Sequence, residues 1–262
     1  MRCKFSFLVL LALAGTLSPV HAQKVTLDYY FNHETHKTTG GKIERYHYTW
    51  EDKSNTGFST LGDAFIKAGG QLNTLDKAPN AGNLKGTGVY IIVDPDTRKE
   101  TADPKFIETK EINAIDAWVK RGGVLVMLAN DSANVEMLHF NNLAARFGMH
   151  FNEDMQNHVT DDRHFEDGAI STADNPVLKT AHKIFMKDAC SIGLKYPATA
   201  VLKNSSGAVI IAMAKYGKGT VLAVGDPWLY NEYTNGRLPA GFENDKAAND
   251  IAEWLLAQAP KK

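Results

Sequence analysis

Apolar and polar positions alternate along this chain in two distinct periods. Residues 24–31 place Val25, Leu27, Tyr29 and Phe31 on every second position, which predicts a strand. Residues 59–68 place Leu61, Phe65 and Ala68 on one helical face, with Ser59 as an N-cap and Gly69-Gly70 as the stop. Residues 89–93, Val-Tyr-Ile-Ile-Val, form an unbroken apolar run of the kind found in strands covered on both faces. A second helix is predicted over 107–120, with Ile112, Ile115, Trp118 and Val119 turned inward and Gly122 closing it. Residues 124–128 are again a buried strand. A third helix follows Asn134, carries Leu138, Leu143 and Phe147, and stops at Gly148.

Strand and helix alternate through this half, which predicts an α/β fold with a doubly wound, mostly parallel sheet. After Met149 the texture changes. Short strand-like pieces occur near 169–170, 191–194 and 200–202. Residues 207–214 and 219–224 flank Tyr216-Gly217-Lys218-Gly219 and predict a C-terminal hairpin, and residues 247–257 a closing helix with Ile251, Trp254 and Leu255 inward. No internal repeat or linker divides the chain, so residues 23–262 are expected to form one domain.

The first 22 residues have a different character. Arg2 and Lys4 precede the apolar stretch 5–14, and Val20-His21-Ala22 fits a small-x-small cleavage site. This predicts a signal peptide and a secreted or periplasmic protein beginning near Gln23. The apolar stretch is too short for a membrane span. Cys3 leaves with the signal, so Cys190 has no partner for an intramolecular disulfide and reads as a small buried residue. Lys and Arg number 29 against 30 Asp and Glu, without a basic stripe, which argues against nucleic acid as a partner.

In open α/β sheets ligands bind beyond the carboxyl ends of the strands. Four segments follow predicted strands: 32–57, Asp94-Pro95-Asp96, 130–134 and 225–233. Between them they carry Asn32, His33, Glu34, Arg45, His47, Trp50, Glu51, Asp94, Asp96, Asn130, Asp131, Asp226, Trp228, Tyr230, Asn231 and Glu232. His139 and Asn142, early in the third helix, can reach the same region. Carboxylates and amides suit sugar hydroxyls, aromatic faces suit the C–H side of a pyranose, and Arg45 or a histidine could pair with a uronate. Segment 225–233 is the most distinctive, because buried strand residues give way at once to Asp226, Trp228, Tyr230, Asn231 and Glu232. A loop as long as 32–57 without elements of its own would be functional or mobile.

Plainer roles compete with these. Asp94 could cap the turn before Pro95, and Asp131 or Ser132 could be an N-cap. Trp118 and Trp254 sit at core positions. The loop bearing His158, Asp161, Asp162, His164, Glu166 and Asp167 lacks a metal-binding spacing and reads as solvated surface, so no metal or cofactor is expected. Ser132 occupies the place of a nucleophile elbow, but both flanking glycines are replaced by Asn, and His139 stands at a different level.

The stretches 27–32, 45–52, 90–96, 118–125, 129–132 and 216–233 resemble the class I glutamine-amidotransferase-like domain attached to bacterial unsaturated rhamnogalacturonyl hydrolases, with a broader similarity to trehalose-utilisation-type domains through Asn175-Pro176-Val177. The resemblance implies a flavodoxin-like, amidotransferase-like fold. It does not imply amidotransferase activity, since Ser132 replaces the elbow cysteine and Asp226-Pro227 stands where the family has its histidine. Nor does it imply hydrolase activity, which resides in a separate helical barrel. The expected function is therefore binding of a pectin- or rhamnogalacturonan-derived oligosaccharide. Two alternatives remain: a glycan hydrolase or lyase using Asp226, Glu232, Asp131 and His139, or a scaffold docking a rhamnogalacturonyl hydrolase.

Overall fold

The structure is a computed structural model that describes residues 22–227 and 236–260. The signal-peptide reading rests on residues outside this description, as do the site assignments of Trp228, Tyr230, Asn231 and Glu232.

Thirteen strands and four helices are described. The chain begins with β1 (Gln23–Asp28), β2 (Thr35–Lys37), β3 (Ile43–Arg45), α1 (Ser59–Lys67), β4 (Gly70–Leu75), β5 (Thr87–Val93) and α2 (Thr109–Lys120). It continues with β6 (Val124–Leu128), α3 (Met137–Ala144), β7 (Met149–Phe151), β8 (Ala169–Ser171), β9 (Lys183–Phe185) and β10 (Ile192–Leu194). It ends with β11 (Thr199–Lys203), β12 (Val209–Tyr216), β13 (Gly219–Val224) and α4 (Asn244–Gln258).

Seven strands make the central sheet in the order β11-β12-β13-β6-β5-β1-β4. The five from β13 to β4 are parallel, and β12 and β11 add antiparallel pairings at one side. Among the parallel strands the spatial order is that of a flavodoxin-like sheet: the chain steps from β1 outward to β4, returns past β1 to β5, then runs through β6 to β13. The topological switch point therefore lies between β1 and β5, and a ligand crevice is expected at their carboxyl ends.

One face of the sheet buries α1 and α4 against Val25, Leu27, Val89, Ile91 and Val93. The other buries α2 and α3 against Tyr90, Ile92, Leu125 and Met127. Alternate residues of β5 thus serve two cores, which is why its sequence is apolar throughout. The predicted hairpin is β12–β13, with Met213 opposite Leu222. Its turn requires Gly217, which has φ 59° and would bring a Cβ within 2.8 Å of the Lys120 backbone.

Several local expectations are corrected. The first strand ends at Asp28 because that carboxylate accepts the Tyr30 and Phe31 N–H groups and turns the chain. Phe58, not Ser59, occupies the N-cap position of α1. Glu136, not Asp131 or Ser132, caps α3, accepting the His139 N–H. Segment 32–57 is not structureless. It contains the β2–β3 hairpin and is tied to the sheet edge by side-chain bonds described below. Within the central sheet, β4 is the strand that the alternation of strand and helix did not reveal.

Candidate functional site

The switch point is built from the turn after β1, the turn after β5 and the β2–β3 hairpin. Asn32 Nδ2 donates to the Asp94 carbonyl at 3.0 Å, and Asp96 N donates to the Phe31 carbonyl at 2.9 Å. His33 N in turn donates to Asp96 Oδ2 at 2.9 Å. The turn after β6 joins them: Asn130 Nδ2 donates to Asp94 Oδ2 at 3.0 Å, and the Tyr48 hydroxyl faces the same carboxyl. Asn32, Asp94, Asp96 and Asn130 are therefore brought together as the strand-end argument requires.

The hairpin supplies the rest. Glu34 is buried and accepts from the Tyr46 hydroxyl at 2.9 Å through Oε2, while His47 Nδ1 contacts its Oε1. The rings of His36, Tyr46, His47 and Tyr48 follow one another at centroid spacings of 4.8, 4.2 and 5.5 Å. Tyr46 and His47 are half-buried, so part of this aromatic row meets solvent. His47, Tyr48 and Asp94 all have positive φ (61°, 47° and 43°) without being glycine. Such conformations cost free energy and gather at functional sites.

The electrostatics are those of crowded carboxylates. Burial pushes the Asp96 carboxyl up to about 7, opposed by the His33 N–H and reinforced by Glu34 and Glu100. Burial raises Asp94 well above the usual carboxylate range, against the Asn130 hydrogen bond and with Glu100 and Glu34 adding to the rise. Glu100, whose side chain holds the Thr97 N–H and hydroxyl, is raised by burial and by Glu34. Tyr46 is pushed up to about 12 by burial and by the Glu34 carboxylate. Asn32 Oδ1 and Asp96 Oδ1 are buried acceptors with no protein partner. Unmatched acceptors of this kind call for water or a ligand donor. Among the described residues no three His, Cys, Asp or Glu side chains are grouped to hold a metal ion.

Other candidates have different work. Arg45 donates to the carbonyls of Tyr29 (2.8 Å) and Asn32 (2.5 Å), and its guanidinium lies 3.9 Å above the Tyr29 ring. It is a clamp on the β1 turn rather than a binder of uronate. Trp50 is buried against Phe65, donates its indole N–H to the Asn73 carbonyl, and lies beside β4. Glu51 accepts the Tyr29 hydroxyl at 2.9 Å. Trp50 and Glu51 line a shallow cavity with Leu72, Asn73 and Thr74, apart from the carboxylates. Asp131 accepts the Ala133 N–H and the Asn134 amide, both at 2.8 Å, and so organises its own turn. Ser132 is exposed in that turn. His139 stacks on Phe106 at 4.7 Å and holds Glu136 through Nδ1, lining a different cavity between α2 and α3.

Asp226 is buried at the end of β13 and acts with Asp154 and Asp131 on the Cys190 thiol. Burial, more than these charges, drives that thiol far above its ordinary range, so it is no nucleophile. The His158–Glu166 loop is a set of surface pairs, including His158–Asp188 and Arg237–Asp162. Glu100, Tyr46, Tyr48 and His36 were not among the residues chosen from the strand ends. Glu100 lies well past the Asp94-Pro95-Asp96 turn. Tyr46 lies in segment 32–57 between the chosen Arg45 and His47, with nothing in the sequence to set it above its neighbours.

Together these observations define a flavodoxin-like α/β protein with a buried, hydrogen-bonded cluster of carboxyl and amide groups at its switch point, edged by the half-buried Tyr46 and His47. The chain belongs to the family described as "Domain of unknown function (DUF4350)", whose model matches residues 52–238. Its fold is similar to that of the mmIFT52 N-terminal domain, with TM-score 0.64 and 14% identity over 89% of this chain and 97% of that one. It is also similar to the cytoplasmic protein STM3548 from Salmonella typhimurium, with TM-score 0.55 and 14% identity over 91% of this chain and 100% of that one. A third similarity is to the exo-β-1,4-mannosidase Op5Man5 from Opitutaceae bacterium strain TAV5, with TM-score 0.50 and 14% identity over 92% of this chain but 37% of the enzyme. At these identities the likeness is one of fold. No curated protein matches the chain significantly. No helix among the described residues is long and apolar enough to cross a membrane.

Proposed function

We propose that this protein is a carbohydrate-binding domain whose switch-point crevice holds a neutral, hydroxyl-rich oligosaccharide. The observation that carries the reading is the pairing of unpartnered polar side-chain oxygens with the half-buried rings of Tyr46 and His47. Asn32, Asp94, Asp96 and Asn130 are linked at the strand ends close to Glu34 and Glu100, beside the half-buried Tyr46 and His47, and the side-chain oxygens Asn32 Oδ1, Asp94 Oδ1 and Asp96 Oδ1 have no hydrogen-bond partner among the described residues. Sugar hydroxyls supply donors, and the pyranose C–H face matches the rings. A uronate would add another negative charge beside Glu34 and Glu100 in a site where burial already drives Asp94 and Asp96 toward their neutral forms, and the half-buried Arg45 already binds two carbonyls. The neutral residues of a pectic chain, or other neutral hexoses, therefore fit better than galacturonate. The fold's occurrence within a mannosidase makes β-1,4-manno-oligosaccharides reasonable first probes.

Titration calorimetry against neutral manno-, galacto- and gluco-oligosaccharides and rhamnogalacturonan fragments tests the proposal. Wild type should bind at least one neutral glycan, and Tyr46→Ala should weaken that binding about tenfold, the equivalent of ~1.4 kcal/mol. Binding unaffected by Tyr46→Ala would refute this location. A catalytic reading is favoured by Asp96, whose carboxyl is pushed up to about 7 by burial and so keeps a share of its protons at neutrality for general-acid work. It requires product release from the same glycans that disappears in Asp96→Asn.

A further inference from the structure

A second groove lies away from the switch point, where β7 pairs with β10. It has a volume of about 530 Å³ and is lined by Gly148, His150, Gly193, Leu194 and Lys195, among others. That is within the range of small-molecule clefts, roughly 300–1,000 Å³. Tyr196 follows directly and is 98% exposed, so its ring contributes nothing to the core.

The backbone that presents this ring is firmly held. Lys195 N donates to the Gly148 carbonyl at 2.8 Å, and Ala198 N donates to the Lys195 carbonyl at 2.9 Å. Gly148 has φ 79°, and a Cβ there would meet the Lys195 carbonyl at 2.3 Å, so the two segments pack backbone to backbone. A ring on an ordered turn loses little conformational freedom on binding. The groove is also charged in one sense. Lys195 and His150 are exposed, neither side chain has a partner among the described residues, and no carboxylate appears in the lining.

We propose that this groove is a separate binding site for an acidic sugar, in which a uronate ring stacks on Tyr196 while its carboxylate meets Lys195 and a donor from His150. An aromatic face matches the C–H side of a pyranose, and an unpartnered ammonium beside a groove without acids matches a carboxylate.

Two variants isolate the site without threatening the fold. Tyr196→Ala removes an exposed ring. At Gly193 a Cβ would meet nothing closer than 3.6 Å, so Gly193→Leu projects a side chain into the groove. The probe is a defined oligogalacturonate, titrated against wild type, both variants, Lys195→Ala and the switch-point variant Tyr46→Ala. Wild type should bind the oligogalacturonate and not a neutral galacto-oligosaccharide at this site. Tyr196→Ala, Gly193→Leu and Lys195→Ala should each weaken it about tenfold, whereas Tyr46→Ala should leave it unchanged. Three results overturn the proposal: no binding of oligogalacturonate, equal binding in Tyr196→Ala and Gly193→Leu, or equal binding of a poly-glutamate peptide. The last would make the groove a docking surface for acidic peptide. Neutral-glycan binding at Tyr46 is unaffected by any of these outcomes, so the two sites fail independently.

Discussion

Replacing Asp96 with Asn should stabilise this protein at alkaline pH, which is unusual for a substitution at a fully buried position. The Asp96 side chain is 1% exposed and its carboxyl ionises near 7 in the folded state, against 3.8 as its ordinary value. Below pH 3.8 the carboxyl is protonated in both states and makes no pH-dependent contribution. Between 3.8 and 7 the folded protein retains a proton that the unfolded chain has released, so stability falls as pH rises through that window. Above pH 7 the loss is complete. The move from 3.8 to about 7 corresponds to about 4 kcal/mol. Asparagine can still accept the His33 N–H, but carries no charge beside Glu34 and Glu100. Urea unfolding of both proteins at pH 4, 6 and 8 is the assay. The difference should be small at pH 4 and grow to as much as about 4 kcal/mol in favour of Asp96→Asn at pH 8. Parallel pH profiles, or a less stable variant at pH 8, would refute the electrostatic account of the crevice.

Gly225→Ala should destabilise by about 3 kcal/mol in urea unfolding, because the added Cβ would stand 1.9 Å from the Cys190 carbonyl oxygen. Arg45→Lys keeps the charge but loses the forked contact with the Tyr29 and Asn32 carbonyls, and should cost about 2 kcal/mol by the same measurement. Cys190 should resist a thiol reagent in the native protein and react on denaturation, since it is buried with its thiol held neutral.

The strands that build the sheet's centre were legible because burial on both faces leaves a continuous apolar run, as in 89–93, 124–128 and 220–224. Strand β4 was not, because Gly70-Gln71-Leu72-Asn73-Thr74-Leu75 is an edge strand with mixed burial and no clean period. The exposed strands β2 and β3 carry no apolar signal either, and are fixed by Arg45 and by Glu34 with its Tyr46 and His47 partners. At the site, Asp94, Asp96 and Asn130 could be found because each follows a strand directly. Trp50 and Glu51 belong to the long segment after β1 yet reach the β4 side, because the β2–β3 hairpin carries the chain across the edge before they occur. Arg45 shows a second limit. An arginine near an open crevice and one buried over a tyrosine ring look alike in sequence, and only the contacts with two carbonyls separate them. Polar residue types mark a region, while backbone path decides which of them share it.

The central claim concerns the switch point, and the most direct measurement is a crystal structure of the protein with a neutral oligosaccharide identified by titration. The account predicts a sugar ring against Tyr46 and His47, with hydroxyls bonded among Asn32, Asp96, Glu100 and Asn130. A glycan bound elsewhere, with the crevice filled only by water, would contradict it.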